Sequence, residues 1–464
     1  MTAAVQRHQA PLVYMMVVAF SLYSGLLVVR SSGMITMSVL ALLGLAGVVI
    51  LVNLPSSALF LGWLFLAPIF QTAADTSALG RGLTWALYIG PALVLAMLTI
   101  LRRRNVPVRI VDYLPGVYVA YVLAAILLTT SLIKDETVGT AKAVFTIQVI
   151  GAVVYYFLTF GPGRDVRAVT IVGTLMIAGL VQGLFALAEI TIGWNLWGYR
   201  DWQNVQGRAR AVSTLANPDV LGLFLGASIV TAVAVLVWDG PRSLRRLSWA
   251  VLAVCTPALV GTLTRAPILA TIVVVVLLLL LGRARVLGLG LLAVAGIALV
   301  MMLPTLKETD LYRERVAEKG TVEFRAQSQD WSLRLAAQKP VLGWGYGSFD
   351  RVKNASGFHT EGIPIRSVLE FTSHNSFLTI LVELGGVGLL IYLSPFLILG
   401  FAGVNRARAP APDRWLVVAS LGCLLVILLT AATFDTRFFS FALMLPFVYL
   451  AMLRRAAADS AAQA

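Results

Sequence analysis

Apolar runs long enough to cross a bilayer follow one another along almost the whole chain, at about 11–29, 34–52, 56–71, 83–101, 115–133, 143–160, 168–190, 218–238, 247–263, 267–281, 286–303, 375–402, 415–433 and 438–453. About 20 apolar residues wound as an α-helix match the thickness of a bilayer's hydrocarbon core. The expected fold is therefore all-α: a polytopic membrane helix bundle of about 14 spans, forming one integral membrane domain over residues 1–464. Twelve spans are the alternative, because the third run is short. Composition points the same way: 59% of the 464 residues are apolar and 12% charged, against roughly 25% charged in soluble domains. A soluble enzyme is excluded. The amino terminus, MTAAVQRHQAPLVYMM, has no small-residue cleavage site after its apolar run, so Pro11 to Val29 reads as a retained span and not a signal peptide. Cys255 and Cys423 both fall inside apolar runs. They make neither a disulfide framework nor a metal set and read as small core residues.

A formal charge of +14 suits a nucleic-acid binder only when it is concentrated on one exposed surface. Here Lys and Arg are scattered between spans, so no nucleic-acid partner is expected. With the amino terminus inside, the inner segments hold 17 of the 36 cations and the short outer turns six. Cations accumulate in short cytoplasmic loops, while long external loops are exempt. Both termini are thus expected in the cytoplasm, leaving the loop of 70 residues at 304–373 outside. That loop carries ten Lys or Arg and nine Asp or Glu, which suits a folded, nearly neutral insertion, partly helical, before the twelfth span. Within it, Leu311–Gln338 reads as one or two amphipathic helices, with Phe324, Trp331 and Leu335 on one face and Arg325 and Arg334 near the opposite edges. The competing reading is a solvated helix lying on the membrane surface.

Charges at the ends of apolar spans are costly and carry more weight than charges in cytoplasmic turns. On the outer face they gather in four places. In RARAVSTLANPDVLG (208–222), Asn217 and Pro218 make a helix start, Asn as cap and Pro at the first helical position, so Arg208 and Arg210 stand just before a span. In TLTRAP (262–267), Arg265 is the sole charge between two apolar runs and Pro267 again opens a helix; snorkelling to headgroups is the alternative role. SHNSFL (373–378) starts the span after the large loop. In TFDTRFF (433–439), Asp435 and Arg437 share a tight outer turn and read as a structural ion pair.

Of the three histidines, His8 lies in the cytoplasmic tail and His359 in the loop, while His374 sits where loop meets span. With Ser373 as cap, the ring falls in the first helical turn, where the macrodipole keeps the imidazole neutral. His374 is the candidate general base; a boundary histidine that only hydrogen-bonds the loop is the alternative. Glu383, nine residues on, lies about 180° away on a helix and is not paired with His374. It reads as an interhelical hydrogen-bonding group, with Gly385, Gly386 and Gly388 permitting close helix packing.

GWGYGSF (343–349) follows a polar helix and Pro340 instead of a strand and opens no helix, so it is not a phosphate loop. Its glycines read as a tight turn ordering the loop. No pair of Asp residues in a short motif suits a catalytic divalent metal, so no metal and no cofactor are expected. Arginines with one histidine at an outer membrane boundary suit a donor bearing a lipid-linked diphosphate, since Arg clamps phosphate oxygens by bidentate, charge-assisted hydrogen bonds.

RARAVSTLANPDVLG, TLTRAP, the stretch from Trp331 through QKPVLGWGYGSF, and above all HNSFLTILVELGGVGLLIYL (374–393) resemble the O-antigen ligase and O-antigen polymerase superfamily. These are membrane glycosyltransferases that act on undecaprenyl-diphosphate-linked glycans. The resemblance covers about 208–393. It implies an enzyme of the bacterial inner membrane with its site facing the periplasm, taking a lipid-linked glycan donor and a glycan or glycolipid acceptor in cell-surface polysaccharide assembly. It implies that His374 is the catalytic base and that Arg210 and Arg265 hold the diphosphate, with Arg208 competing for the place of Arg210. Thr264 and Ala266 stand where the family often has Ser and Gly. Arg325, Arg334, Trp331, Trp344 and Tyr346 are candidates for acceptor or glycan contacts. Whether the acceptor makes the chain a ligase or a polymerase stays open. The alternative function is a transporter or flippase of lipid-linked sugars, although such proteins gather charges near the bilayer midplane, and here they gather at one face.

Overall fold

The computed structural model describes residues 55–70, 80–132, 137–196, 210–282, 319–355, 373–438 and 440–461. Among these residues the regular elements are helices and there is no strand. In chain order they are α1 (Ser56–Phe70), α2 (Gly80–Leu101), α3 (Leu114–Leu132), α4 (Thr137–Thr159), α5 (Ala168–Ile192), α6 (Pro218–Val237), α7 (Arg242–Gly261), α8 (Arg265–Leu281), α9 (Lys319–Gln338), α10 (Phe349–Ala355), α11 (Ser376–Arg408), α12 (Arg414–Ala431) and α13 (Ser440–Ala461), with single 3₁₀ turns between some of them.

Every expected apolar run that falls on the described residues coincides with one of these helices; the runs at 11–29, 34–52 and 286–303 lie outside them. Among the described residues, six helical segments are long and apolar enough to cross a membrane: 110–128, α5, α6, α7, α11 and α12. Parts of α1, α2 and α4, together with α8, are apolar over shorter lengths.

α6 is the centre of the bundle. It is apolar on all sides and buried over most of its length, as a helix must be when neighbours surround it. It packs on α5, α7, α8 and α12. Small residues set the spacing: a side chain at Gly222 would strike Thr264 and Pro267 of the α8 start, and one at Gly226 would strike Thr271. Cys255 and Cys423 are buried free thiols, in keeping with their reading as core residues.

The helices run up and down, so the turns sort into two ends. One end gathers the Asn217 start of α6, the turn between α7 and α8, the start of α11 and the turn between α12 and α13. Phe224, in the second turn of α6, meets Phe441 at the start of α13 edge-on at 4.7 Å, which brings these turns to one level. α9 and α10 cap the same end through a small separate core of Leu335, Ala336, Phe349 and Val382, with Trp331 and Trp344 packed against it. The helical reading of Leu311–Gln338 thus holds over α9, and Leu335 faces protein; 311–318 lie outside the described residues.

Candidate functional site

Arg210 opens the segment that leads into α6. It is buried, and its Nε donates to the carbonyl of Thr262 at 3.2 Å, while the next amide, Ala211 N, donates to Gly261 O at 3.1 Å. The segment is therefore laced to the α7–α8 turn. α5 holds it from the other side. Glu189 Oε2 accepts from the amides of Val212 (2.9 Å) and Ser213 (2.8 Å), and Gln182 bonds Ser213 Oγ and Thr214 Oγ1. Asn217 caps α6 by accepting from Asp219 N and Val220 N, with Pro218 at the first helical position, as expected. Arg208 lies outside the described residues.

The α7–α8 turn carries Arg265 as the first residue of α8, exposed at the helix start, with Thr264 as cap residue. Pro267 sits inside the first turn and not at its opening; its missing N–H costs nothing there, because first-turn amides have no intrahelical partner. The hydroxyls of Thr262 and Thr264 lie 2.7 Å apart beneath the turn.

His374 is not in the first turn of its helix. The cap is Asn375, whose side chain accepts from Phe377 N and Leu378 N, so His374 stands one residue before it, in a left-handed conformation (φ 50°). Ser373 instead accepts from Asn375 N and lies 2.7 Å from Thr379 Oγ1. The imidazole is buried. Burial lowers its pKa from 6.5 to about 4, with Arg325 and Lys353 adding to the fall and Asp435 opposing it. The ring is neutral at neutral pH for a different leading reason than the macrodipole.

Left-handed backbone in non-glycine residues costs energy and concentrates at functional sites. Among the described residues it occurs at Ser213, Ala216, Leu263, His374 and Asp239. The first four lie in the three turns that carry Arg210, Arg265 and His374.

Asp435 and Arg437 form the expected ion pair, at 2.9 Å. Arg437 also donates to Glu383 Oε2 at 2.7 Å, and all three side chains are at most 3% exposed. Glu383 is thus an ion-pair partner, which its helical position alone did not reveal. α11 is broken two residues later at Gly385 (φ 68°, ψ −173°). The backbone groups freed there are taken up by the GWGYG turn: Trp344 N donates to Val382 O (2.9 Å), Gly345 N to Glu383 O (2.8 Å) and Gly386 N to Pro340 O (2.7 Å). Gly343, Gly345 and Gly347 are all left-handed, so the turn reading holds. The packing reading of Gly385 and Gly386 is corrected: they break the helix and admit the loop. A side chain at Gly385 would strike Val341 O and one at Gly343 would strike Glu383.

The loop residues separate. Arg325 comes within electrostatic reach of His374. Arg334 is exposed, pairs with Asp330 at 2.8 Å and lies over Trp331. Trp344 donates from Nε1 to Leu335 O at 2.9 Å, and the Tyr346 ring is buried beside Arg437. Lys353, buried on α10 and facing His374, was missed. So were Glu189 and Gln182. Glu189 did leave a signal, as the one charge in the run of α5.

The family model described as O-antigen ligase matches residues 250–393. Over this segment the chain is similar to the O-antigen ligase family. The ligase segment runs from within α7 to within α11 and contains Arg265, Lys353, His374 and Glu383; Arg210 precedes it, laced to its first turn. No curated protein matches the chain. A ligase domain in a chain with helices apolar enough to span a membrane supports a bacterial membrane protein of ligase or polymerase type, with a lipid-linked glycan and an acceptor as general partners.

Proposed function

We propose that the protein is a metal-independent membrane glycosyltransferase that moves a glycan from an undecaprenyl-diphosphate donor to an acceptor sugar hydroxyl at the periplasmic face, with both termini in the cytoplasm. The observation that carries this is the convergence, at one end of the bundle, of a buried neutral His374 with the linked turns of Arg210 and Arg265, each of the three turns containing left-handed backbone.

His374 takes the proton of the acceptor hydroxyl as its oxygen attacks the anomeric carbon. The bond from that carbon to the diphosphate oxygen breaks, and the lipid diphosphate leaves with the electron pair. Arg210 and Arg265 hold the diphosphate and stabilise the charge that develops on it. Direct attack inverts the anomeric carbon. The cations around His374 give this chemistry a gate. Arg325 and Lys353 depress the basicity of the free ring, and an anionic diphosphate seated nearby offsets them, so the base strengthens as the donor binds.

The test is transfer from lipid-linked donor by the purified full chain. His374→Ala and Arg265→Ala each lower turnover by at least about 100-fold on this mechanism. Full activity in both variants overturns it. Glycan left on its carrier as whole chains in a deletion strain marks a ligase; loss of chain length marks a polymerase.

A further inference from the structure

The opposite end of the bundle carries a second charged feature that the transfer chemistry does not use. A shallow cleft there is lined by Arg104, Asn105, Val106, Pro107, Arg164 and Asp165. Its basic segments are fixed. Arg104 N donates to Phe160 O, the Arg104 side chain pairs with Asp165, and Arg103 lies over the Phe160 ring. Arg455 donates to the carbonyls of Arg164 (2.9 Å) and Val166 (2.7 Å). Asp112, the other nearby acid, is buried and already bonded twice by Arg454, at 2.8 Å each. Asp165 is an exposed acid, and the adjoining segments also hold the exposed Arg102, Arg103 and Arg167. A topology signal needs only loose cations, whereas Arg103 and Arg104 make side-chain contacts with Phe160 and Asp165, and the backbone at Arg164 is held by Arg455.

In the chain segment that follows the 104–107 wall of the cleft, Ile110 is 80% exposed, Tyr113 61% and Val117, in the first turn of α3, 46%. Such side chains at the end of a membrane-spanning segment belong at the lipid boundary, Tyr at headgroup level. Cations below and apolar side chains above match the two halves of one ligand class.

We propose that this cleft binds the phosphate headgroup of an anionic diacyl phospholipid, with Arg104 and Arg164 on the phosphate and the acyl chains along Ile110 and Val117. Basic pockets beside membrane-spanning helices provide the charge for such binding, and the apolar rim selects a lipid over free phosphate.

The test uses the purified full chain in neutral detergent, with phosphatidylglycerol, phosphatidylcholine and inorganic phosphate as probes and bound lipid counted by native mass spectrometry. The wild type retains phosphatidylglycerol in preference to phosphatidylcholine, and phosphate does not displace it. The double variant Arg104→Gln with Arg164→Gln binds roughly tenfold more weakly. Arg242→Gln with Arg246→Gln removes the same charge from the same end of the bundle and leaves binding unchanged. Thermal unfolding confirms that both doubles are folded, and Arg104→Lys with Arg164→Lys, which keeps the charge, retains most of the binding. Equal losses in the two glutamine doubles, equal retention of both lipids, or displacement by inorganic phosphate each overturns the proposal.

Discussion

The guanidinium of Arg437 donates to Glu383 Oε2 at 2.7 Å, joining the turn before α13 to the last residues of α11 ahead of its break. Asp435 takes the other edge of the same guanidinium. One buried cation thus holds two buried carboxylates, and removing it strands both. Breaking a buried pair from one side costs about 3–5 kcal/mol. Arg437→Ala should therefore unfold at markedly lower temperature in detergent, while Glu383→Gln, which keeps a hydrogen-bonding amide, loses much less. Similar melting of the two variants would show that the bridge does not brace this end.

Gly385 adopts a backbone conformation open almost only to glycine. Gly385→Ala adds strain of about 1–3 kcal/mol and drives its Cβ into Val341 O. The loop must then leave the break, freeing the amides of Trp344 and Gly345. Limited chymotrypsin digestion should cut after Trp344 faster in this variant, and transfer should fall with it. Gly400→Ala, at a position where an added side chain meets nothing, is the matched control and should digest like wild type.

How far the sequence could be read depends on the range of the forces involved. Apolar runs and the Asn217–Pro218 start are local, and the described residues have them where they were expected. The Asp435–Arg437 pair is local too. Ser373 and Asn375 are equally good caps by residue type, and the left-handed turn at His374 selects Asn375, which composition does not encode. The break at Gly385 depends on a partner about 40 residues away at Pro340–Gly345, so helical periodicity ran straight through it. Lys353 sits among other polar loop residues with nothing local to single it out. Its significance comes from α10 folding back toward His374.

The depressed pKa of His374 fixes the direction of a pH profile. The groups facing it are Arg325 from α9, Lys353 from α10 and Asp435 from the α12–α13 turn, the last already bound to Arg437. A general base works only when unprotonated, so kcat/KM should be flat at neutral pH and fall as pH drops through about 4. Lys353→Met removes a cation that disfavours imidazolium. The ring then binds a proton more readily, and the acid limb moves to higher pH. Arg325→Ala should move it the same way. A limb unmoved in both variants would separate these cations from the base.

Glu189 supports the segment that follows Arg210. Its carboxylate accepts the amides of Val212 and Ser213, the second of which is left-handed, and so fixes the two residues after Ala211. Hydrogen bonds to a charged acceptor contribute about 1.5–3 kcal/mol each, and buried amides left unpaired cost a comparable amount. Glu189→Ala should therefore loosen the 210–217 segment before it unfolds the bundle, seen as faster hydrogen exchange at Val212 and Ser213 with little change in the α6 core. If Arg210 holds the donor diphosphate, the kinetic consequence is specific: KM for the lipid-linked donor rises about tenfold or more while the acid limb set by His374 stays in place. Glu189→Gln, which keeps one acceptor oxygen, should recover part of the loss. A donor KM that does not respond to either change would show that the carboxylate shapes the segment without setting the position of Arg210.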